Sequence, residues 1–193
     1  MGNILGHLYR ALTLGVFLLV VVILGLHAAE LASQQWIQTL VRVLHVWVGI
    51  LWIGLLYYFN FVQIPTMPKV PAELKPAVSK FIAPEALFWF RWAALGTVLA
   101  GLLLAHLNPY GVMGGLTFSN GGRTIGIGMW LGIIMAANVW FFIWPNQQKA
   151  LGLVPAEDAA KAAAARTAML FSRTNFVLSF PMLYCMIAQQ NIG

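Results

Sequence analysis

The sequence predicts an all-α integral membrane protein, a bundle of five transmembrane helices with its amino terminus in the cytoplasm and its carboxyl terminus in the periplasm. Three observations predict it. Of 193 residues, 61% are hydrophobic and only 8% are charged, where an ordinary soluble domain carries roughly a quarter charged residues. The apolar residues gather into five runs, most of them close to the ~20 residues that cross a bilayer as a helix. Nine of the eleven lysines and arginines fall on one side of those runs, leaving only Arg42 and Arg123 on the other, the asymmetry that the positive-inside rule reads as orientation.

The runs follow in order. Ala11–Ala29 is apolar throughout. Treating it as a secretory signal, with Arg10 in front and HAAE as a cleavage site, is the alternative; its apolar core is longer than most signals carry, which favours a retained span. Leu40–Val62 is the second run and Ala86–Leu107 the third. Thr124–Trp144 is the fourth, closed by Pro145-Asn146, and Thr174–Gln189 is a shorter fifth with a bend expected at Pro181. Between the second and third, QIPTMPKVPAELKPAVSKFIAP holds five prolines and predicts an ordered, extended surface loop. Between the fourth and fifth, Pro155-Ala-Glu-Asp predicts the first turn of a separate helix that the alanine-rich run to Arg166 continues. The whole chain, residues 1–193, is expected to form a single transmembrane domain.

Charge and cysteine content exclude several classes. The net charge of +6 is scattered around apolar segments rather than gathered on one face, so it does not point to nucleic acid. Cys185 is the single cysteine. The chain therefore offers no disulfide pair, no CxxC metal knuckle and no CxxCH for covalent haem attachment, and any cofactor is held without thiolates.

With this topology His27 lies near the outer end of the first helix, His45 in the first two turns of the second, and His106 at the outer end of the third. At ~1.5 Å rise per residue they fall within roughly 10 Å of one another in depth. His7 is on the cytoplasmic side and cannot join them. Ionisable residues within a membrane are functional candidates, and neutral imidazoles on facing helices are the usual axial ligands of a b-type haem. Gly49 and Trp52 follow His45 at plus four and plus seven on the same helical face, where the glycine makes room for a flat macrocycle and the indole flanks it. Gly54 is expected on the opposite face, admitting a neighbouring helix. A histidine near a helix end also serves simply at the interface, and His106 and His27 are open to that reading. A copper or zinc site built from the three imidazoles is a third reading, which only Met113 and Glu30 stand near enough to complete.

A second polar set, the candidate polar or anion site, gathers at the cytoplasmic end: Asn60 and Gln63, Arg91, Asn138, and Arg173 with Asn175. Arg91 either snorkels to lipid phosphates or holds an anionic or quinone-like head group, and asparagines in bundles commonly bond across helices. Gly128, Gly132 and Ala136 form a small-residue stripe on the fourth helix, suited to close packing within the bundle or against a partner.

HVWVGILWIGLLYYFNFVQ, ALFWFRWAALGTVLAG, GIGMWLGIIMAANVWFFIWPNQQKALG and SRTNFVLSFPML, in that order, resemble the membrane domain of the bacterial membrane-bound urate hydroxylase family, a cytochrome-c-linked urate oxidase. The resemblance covers about Val41 to Met182. It implies a multi-pass module of the bacterial inner membrane that passes electrons to a cytochrome, with His45 and Trp52 matching the family's histidine-tryptophan motif. Full-length members end in a cytochrome c domain, and this chain contains no CxxCH. The resemblance therefore implies a short standalone form, a subunit of a larger respiratory or oxidative complex rather than a urate oxidase in itself. Two functional classes remain: an electron-transfer subunit with one haem b, working with a periplasmic cytochrome c, and a cofactor-free accessory subunit that packs against other membrane subunits through the small-residue stripe.

Overall fold

Five helices in the computed structural model, which describes residues 2–192, are long and apolar enough to cross a membrane: Leu8–Glu30, Gln34–Lys69, Lys75–Leu107, Arg123–Ala150 and Asp158–Asn191. No strand occurs among the described residues. The main elements are α1 (Leu8–His27), α2 (Gln34–Tyr58), α3 (Ala83–Leu107), α4 (Gly111–Leu116), α5 (Arg123–Ala137) and α6 (Asp158–Asn191).

Contacts divide the chain into two units, one up to Leu40 and the other from Val41 on. In the first, α1 buries none of its residues, and its side chains Leu12, Val16, Phe17, Val21 and Leu24 are all exposed. Its length and apolar surface are sufficient for a helix that crosses a membrane.

The second unit holds the core. Trp52 and Leu56 of α2, Phe90 of α3, and Met135 and Val139 of the α5 rod are almost completely enclosed. Around them α3 and α6 present small residues, Ala93, Ala94 and Ala100 on one and Ala164 and Ala168 on the other, which lets backbones approach closely. Polar side chains tie the helices together. Asn138 donates to the Asn175 Oδ1 at 2.9 Å, and Asn175 donates to the Met135 carbonyl at 2.8 Å. Asn60 donates to Ser172 at 3.0 Å, and Tyr57 meets Ser179 at 3.1 Å. Ser172, Asn175 and Ser179 recur at i, i+3 and i+7, one face of α6.

The proline-rich connection corrects the expected extended loop. Helix continues through Ile64–Thr66 and Met67–Lys69 and resumes at Lys75–Ala77, so only residues 70–74 leave it. Pro76 stands in the first turn of the third span, where a missing N–H costs little, while Pro65, Pro68 and Pro84 sit within continuous helix. Pro145 does the same and does not close the fourth span, which runs on through Trp144–Ala150.

Three of these prolines share a device. A π-helical turn stands ahead of each: Phe59–Gln63 before Pro65, Val78–Ile82 before Pro84, and Asn138–Ile143 before Pro145. In every case the residue before the proline donates its N–H five residues back, Ile64 to Phe59, Ala83 to Val78 and Trp144 to Val139. A proline ring collides with the carbonyl four residues behind it and offers that carbonyl no N–H. Widening the preceding turn relieves the collision while keeping most bonds.

The end of the chain brings a second correction. There is no separate helix before the fifth span: α6 runs 34 residues from Asp158. Pro155 lies ahead of it rather than in its first turn, and Glu157, in extended conformation, occupies the N-cap position without a side-chain bond to the helix. The helix passes through Pro181 without interruption.

Candidate functional site

His45 stands on α2 facing α3. Its Nδ1 lies 2.9 Å from the Thr97 carbonyl oxygen. A carbonyl only accepts, so Nδ1 carries the proton and donates, which leaves Nε2 with an unshared lone pair, the form in which imidazole binds a metal. The same bond fixes the ring's orientation, as the outer hydrogen bond of a ligating histidine does. Gly101 makes the approach feasible: a Cβ there would lie 2.9 Å from the His45 Cε1 and 3.2 Å from its Nδ1. One turn along, the Val48 methyl would stand only 3.2 Å from a Cβ at Gly96. The two glycines of α3 thus receive successive turns of α2.

His45 opens on a cavity of about 980 Å³, at the large end of the ~300–1,000 Å³ typical of small-molecule sites. Its wall includes Gly49 and Trp52, the two residues expected to share the His45 face, together with Met129, Met182 and Met186 from α5 and α6. Trp52 is 1% exposed, and its indole nitrogen is enclosed without a hydrogen-bond partner. A smaller space of about 50 Å³ shares His45, Trp52, Gly101 and the three methionines with the larger one.

The mouth is polar. Arg42, one turn before His45, lines it with Asn108, Tyr110, Asn120, Gln189 and Gln190. Gln189 holds this end together by accepting from the Ile125 N–H at 2.9 Å and donating to the Gly121 carbonyl at 3.3 Å. Burial pushes the Tyr110 phenol above its ordinary pKa, and the charge of Arg42 pulls it part of the way back. The α4 loop that supplies Tyr110 and Asn120 packs on α5 so closely that a Cβ at Gly122 would lie 2.8 Å from the Gly114 carbonyl.

The other expected site residues are distributed differently. His106 is exposed and is absent from the cavity wall. It lies nine residues beyond Thr97, two and a half turns, and so on the opposite side of α3 from the carbonyl His45 reaches. His27 belongs to the amino-terminal unit, where its Nδ1 is 2.7 Å from the Glu30 carboxylate. Among the described residues, no group of three or more His, Cys, Asp or Glu converges as a metal site would require. Met113 is 68% exposed.

The inner polar set divides. Asn60 and Asn138 are spent on the interhelical bonds already described, and Arg173 is exposed. Arg91 stacks on Trp144, with its guanidinium carbon 3.3 Å from the ring centroid, a cation–π pair. Its Nη1, the Asn60 Oδ1, the Gln63 Oε1 and the Trp140 indole nitrogen are each enclosed without a partner.

The small-residue stripe is largely internal. A Cβ at Gly128 would meet the Cys185 Cβ at 3.0 Å, so this glycine closes the contact between α5 and α6. Gly132 and Ala136 are buried as well. Gly54, exposed, borders the large cavity instead of receiving a helix: a Cβ there would find no atom within 4 Å.

Residues 110–191 match the model of a family described as urate oxidase N-terminal, which supports a relationship to a urate-oxidase family over α4, α5 and α6. No curated protein and no solved structure matches the chain. The matched segment contributes Tyr110, Asn120, Met129, Met182, Met186 and Gln189 to the cavity, while His45 and Thr97 lie before it.

Proposed function

We propose that this chain is a multi-pass protein of the bacterial inner membrane that binds one b-type haem in the His45 cavity and carries electrons as a subunit of a larger respiratory or oxidative complex. One observation carries the reading: an imidazole whose Nδ1 is pinned to the Thr97 carbonyl and whose Nε2 is left free, at the wall of a large, mostly apolar cavity. A haem needs both an available nitrogen and room for a broad, flat, apolar ring, and the residues present fit it. His45 would ligate the iron, and Gly49 and Trp52 would border the ring. The other side chains of the wall able to bind iron are the thioethers of Met129, Met182 and Met186 and the Tyr110 phenol, and of the two further candidates His106 stands outside that wall. Bound there, the group supplies one-electron chemistry, while the protein holds it in a medium that excludes water.

The distribution of basic residues supports a cytoplasmic amino terminus. The cavity mouth then opens toward the periplasm, on the side where a cytochrome c would collect electrons. Urate oxidation by this chain alone forms no part of the reading, because a family relationship over one segment does not transfer activity.

The test is the absorbance of protein purified under haem-replete conditions. Wild type is expected to show a Soret band that responds to dithionite, and His45→Ala to lose it while keeping its helical circular dichroism. Colourless wild-type protein without bound iron would end the proposal. The accessory-subunit alternative relied on the small-residue stripe as a docking face. Gly128, closed against Cys185, favours a use of that residue in the bundle's own packing, while a Cβ at Gly132 would meet nothing within 4 Å.

A further inference from the structure

The cavity mouth holds a positive charge with no counter-charge. Arg42 lies three residues before His45, on the same face of α2 and one turn nearer the mouth. Its Nε is enclosed and has no hydrogen-bond partner. None of the chain's five aspartates and glutamates lines the cavity. A guanidinium nitrogen taken out of water and left unpaired is costly, so the site lacks an acceptor, best an anion. The groups beside it are neutral: Tyr110 and the amides of Asn108, Asn120, Gln189 and Gln190. The far wall is of opposite character, built from Trp52, Ile53, Met129 and Met182. An acid-seeking mouth on an apolar chamber describes a ligand with a carboxylate at one edge and an apolar body behind it.

We propose that Arg42, with Tyr110 beside it, is the anchor for the carboxylate of the ligand that fills this cavity, and so sets the ligand's direction with its acid edge at the mouth and its apolar body against Trp52. The inference rests on the haem reading to the extent that it takes the haem propionates as those carboxylates. Arg42 is a positioning residue: it acts by orientation and does not meet the iron, which falls to His45.

The test compares ferric haem with its dimethyl ester, which has the same ring and iron but no acid, by titrating each into the purified full chain in detergent and following the Soret band. Wild type is expected to bind the free acid at least ~10-fold more tightly than the ester, the usual worth of a charged hydrogen bond. Arg42→Gln should bring that ratio close to one by weakening the acid alone, and Arg42→Lys should keep most of it, each with unchanged circular dichroism. Equal binding of acid and ester by wild type overturns the inference and leaves the haem reading standing. A ratio that survives in Arg42→Gln overturns it as well, because the acid is then held elsewhere. Displacement of the acid by phosphatidylglycerol but not by phosphatidylcholine assigns the guanidinium to a lipid head group, which also overturns it. Should neither haem form bind, the haem reading falls, and a nitroxide-labelled stearate set against its methyl ester decides the anchor independently. Preferential quenching of tryptophan fluorescence by the acid, lost in Arg42→Gln, supports it, and equal quenching ends it.

Discussion

Gly101→Ala is the most exposing single change for the site. The new Cβ would stand 2.9 Å from the His45 Cε1 and 3.2 Å from its Nδ1, against the ~3.5–4.0 Å at which carbon atoms rest. The ring therefore has to retreat by about 0.6–1 Å. Its 2.9 Å bond to the Thr97 carbonyl cannot survive that displacement in good geometry. Overpacking costs ~1–3 kcal/mol and the lost bond about 0.5–1.5 kcal/mol, while replacing a helical glycine by alanine returns ~1 kcal/mol. A net loss of roughly 1–3 kcal/mol is expected, together with weaker haem binding of about tenfold for each 1.4 kcal/mol carried into the ligand site. Gly132→Ala is the matched control, since its Cβ would meet nothing within 4 Å and should be neutral or stabilising by up to ~1 kcal/mol. Thermal unfolding in detergent and haem titration read both. A Gly101→Ala protein with the stability and affinity of Gly132→Ala would refute the account of how His45 is held.

Asn175→Leu should cost ~1–3 kcal/mol in denaturant unfolding, because it strands the Asn138 amide in the core and takes one of two donors from the Met135 carbonyl, which keeps the Asn138 backbone N–H; an unchanged midpoint would mean that water replaces the pair. Pro145→Ala removes the cause of the wide turn at Asn138–Ile143 and should let that turn tighten, so that a cysteine pair placed at positions 138 and 175 cross-links less efficiently than in the proline background. In Arg42→Gln the phenol of Tyr110 loses the charge that lowers its pKa and should ionise at still higher pH, seen by tyrosinate absorbance. Because folding raises that pKa, the phenol's contribution to stability is present below the unfolded-state value and is lost as pH climbs through the folded one, so in the variant the alkaline loss of stability should begin at the same pH but run on further and deeper.

Much of the bundle was legible because apolar run length and helical spacing are local properties. The five spans, the shared face of His45, Gly49 and Trp52, and the cross-helix use of Asn60 and Asn138 all follow from them. The depth of His106 was inferred from helix direction, but depth says nothing of azimuth, and the half-turn that places it away from His45 depends on which face of α3 meets α2. Gly101 carried no signal of its own: its role exists only once α2 and α3 are in register, although the pair Gly96 and Gly101 against Val48 and His45 repeats at about one turn. In the sequence Arg42 signals only orientation, since the α4 loop that completes the mouth has no periodicity to announce it. Proline in a sequence signals a helix break, whereas here Pro65, Pro84 and Pro145 are absorbed by widened turns. The long α6 was cut short because its alanine-rich first half, with Lys161 and Arg166, is too weakly apolar to register as part of a span.

Each widened turn stores one residue more than the α-helical pitch requires. Past such a point every side chain is rotated by about 100° from where a uniform wheel would draw it, so the buried faces of the second, third and fourth rods each change phase once along their length. A single-residue deletion inside Asn138–Ile143 would be taken up locally as ordinary helix with the segments on either side facing as before, whereas one made elsewhere in the rod would swing one segment past the other. The rods are thereby tolerant of length and intolerant of phase.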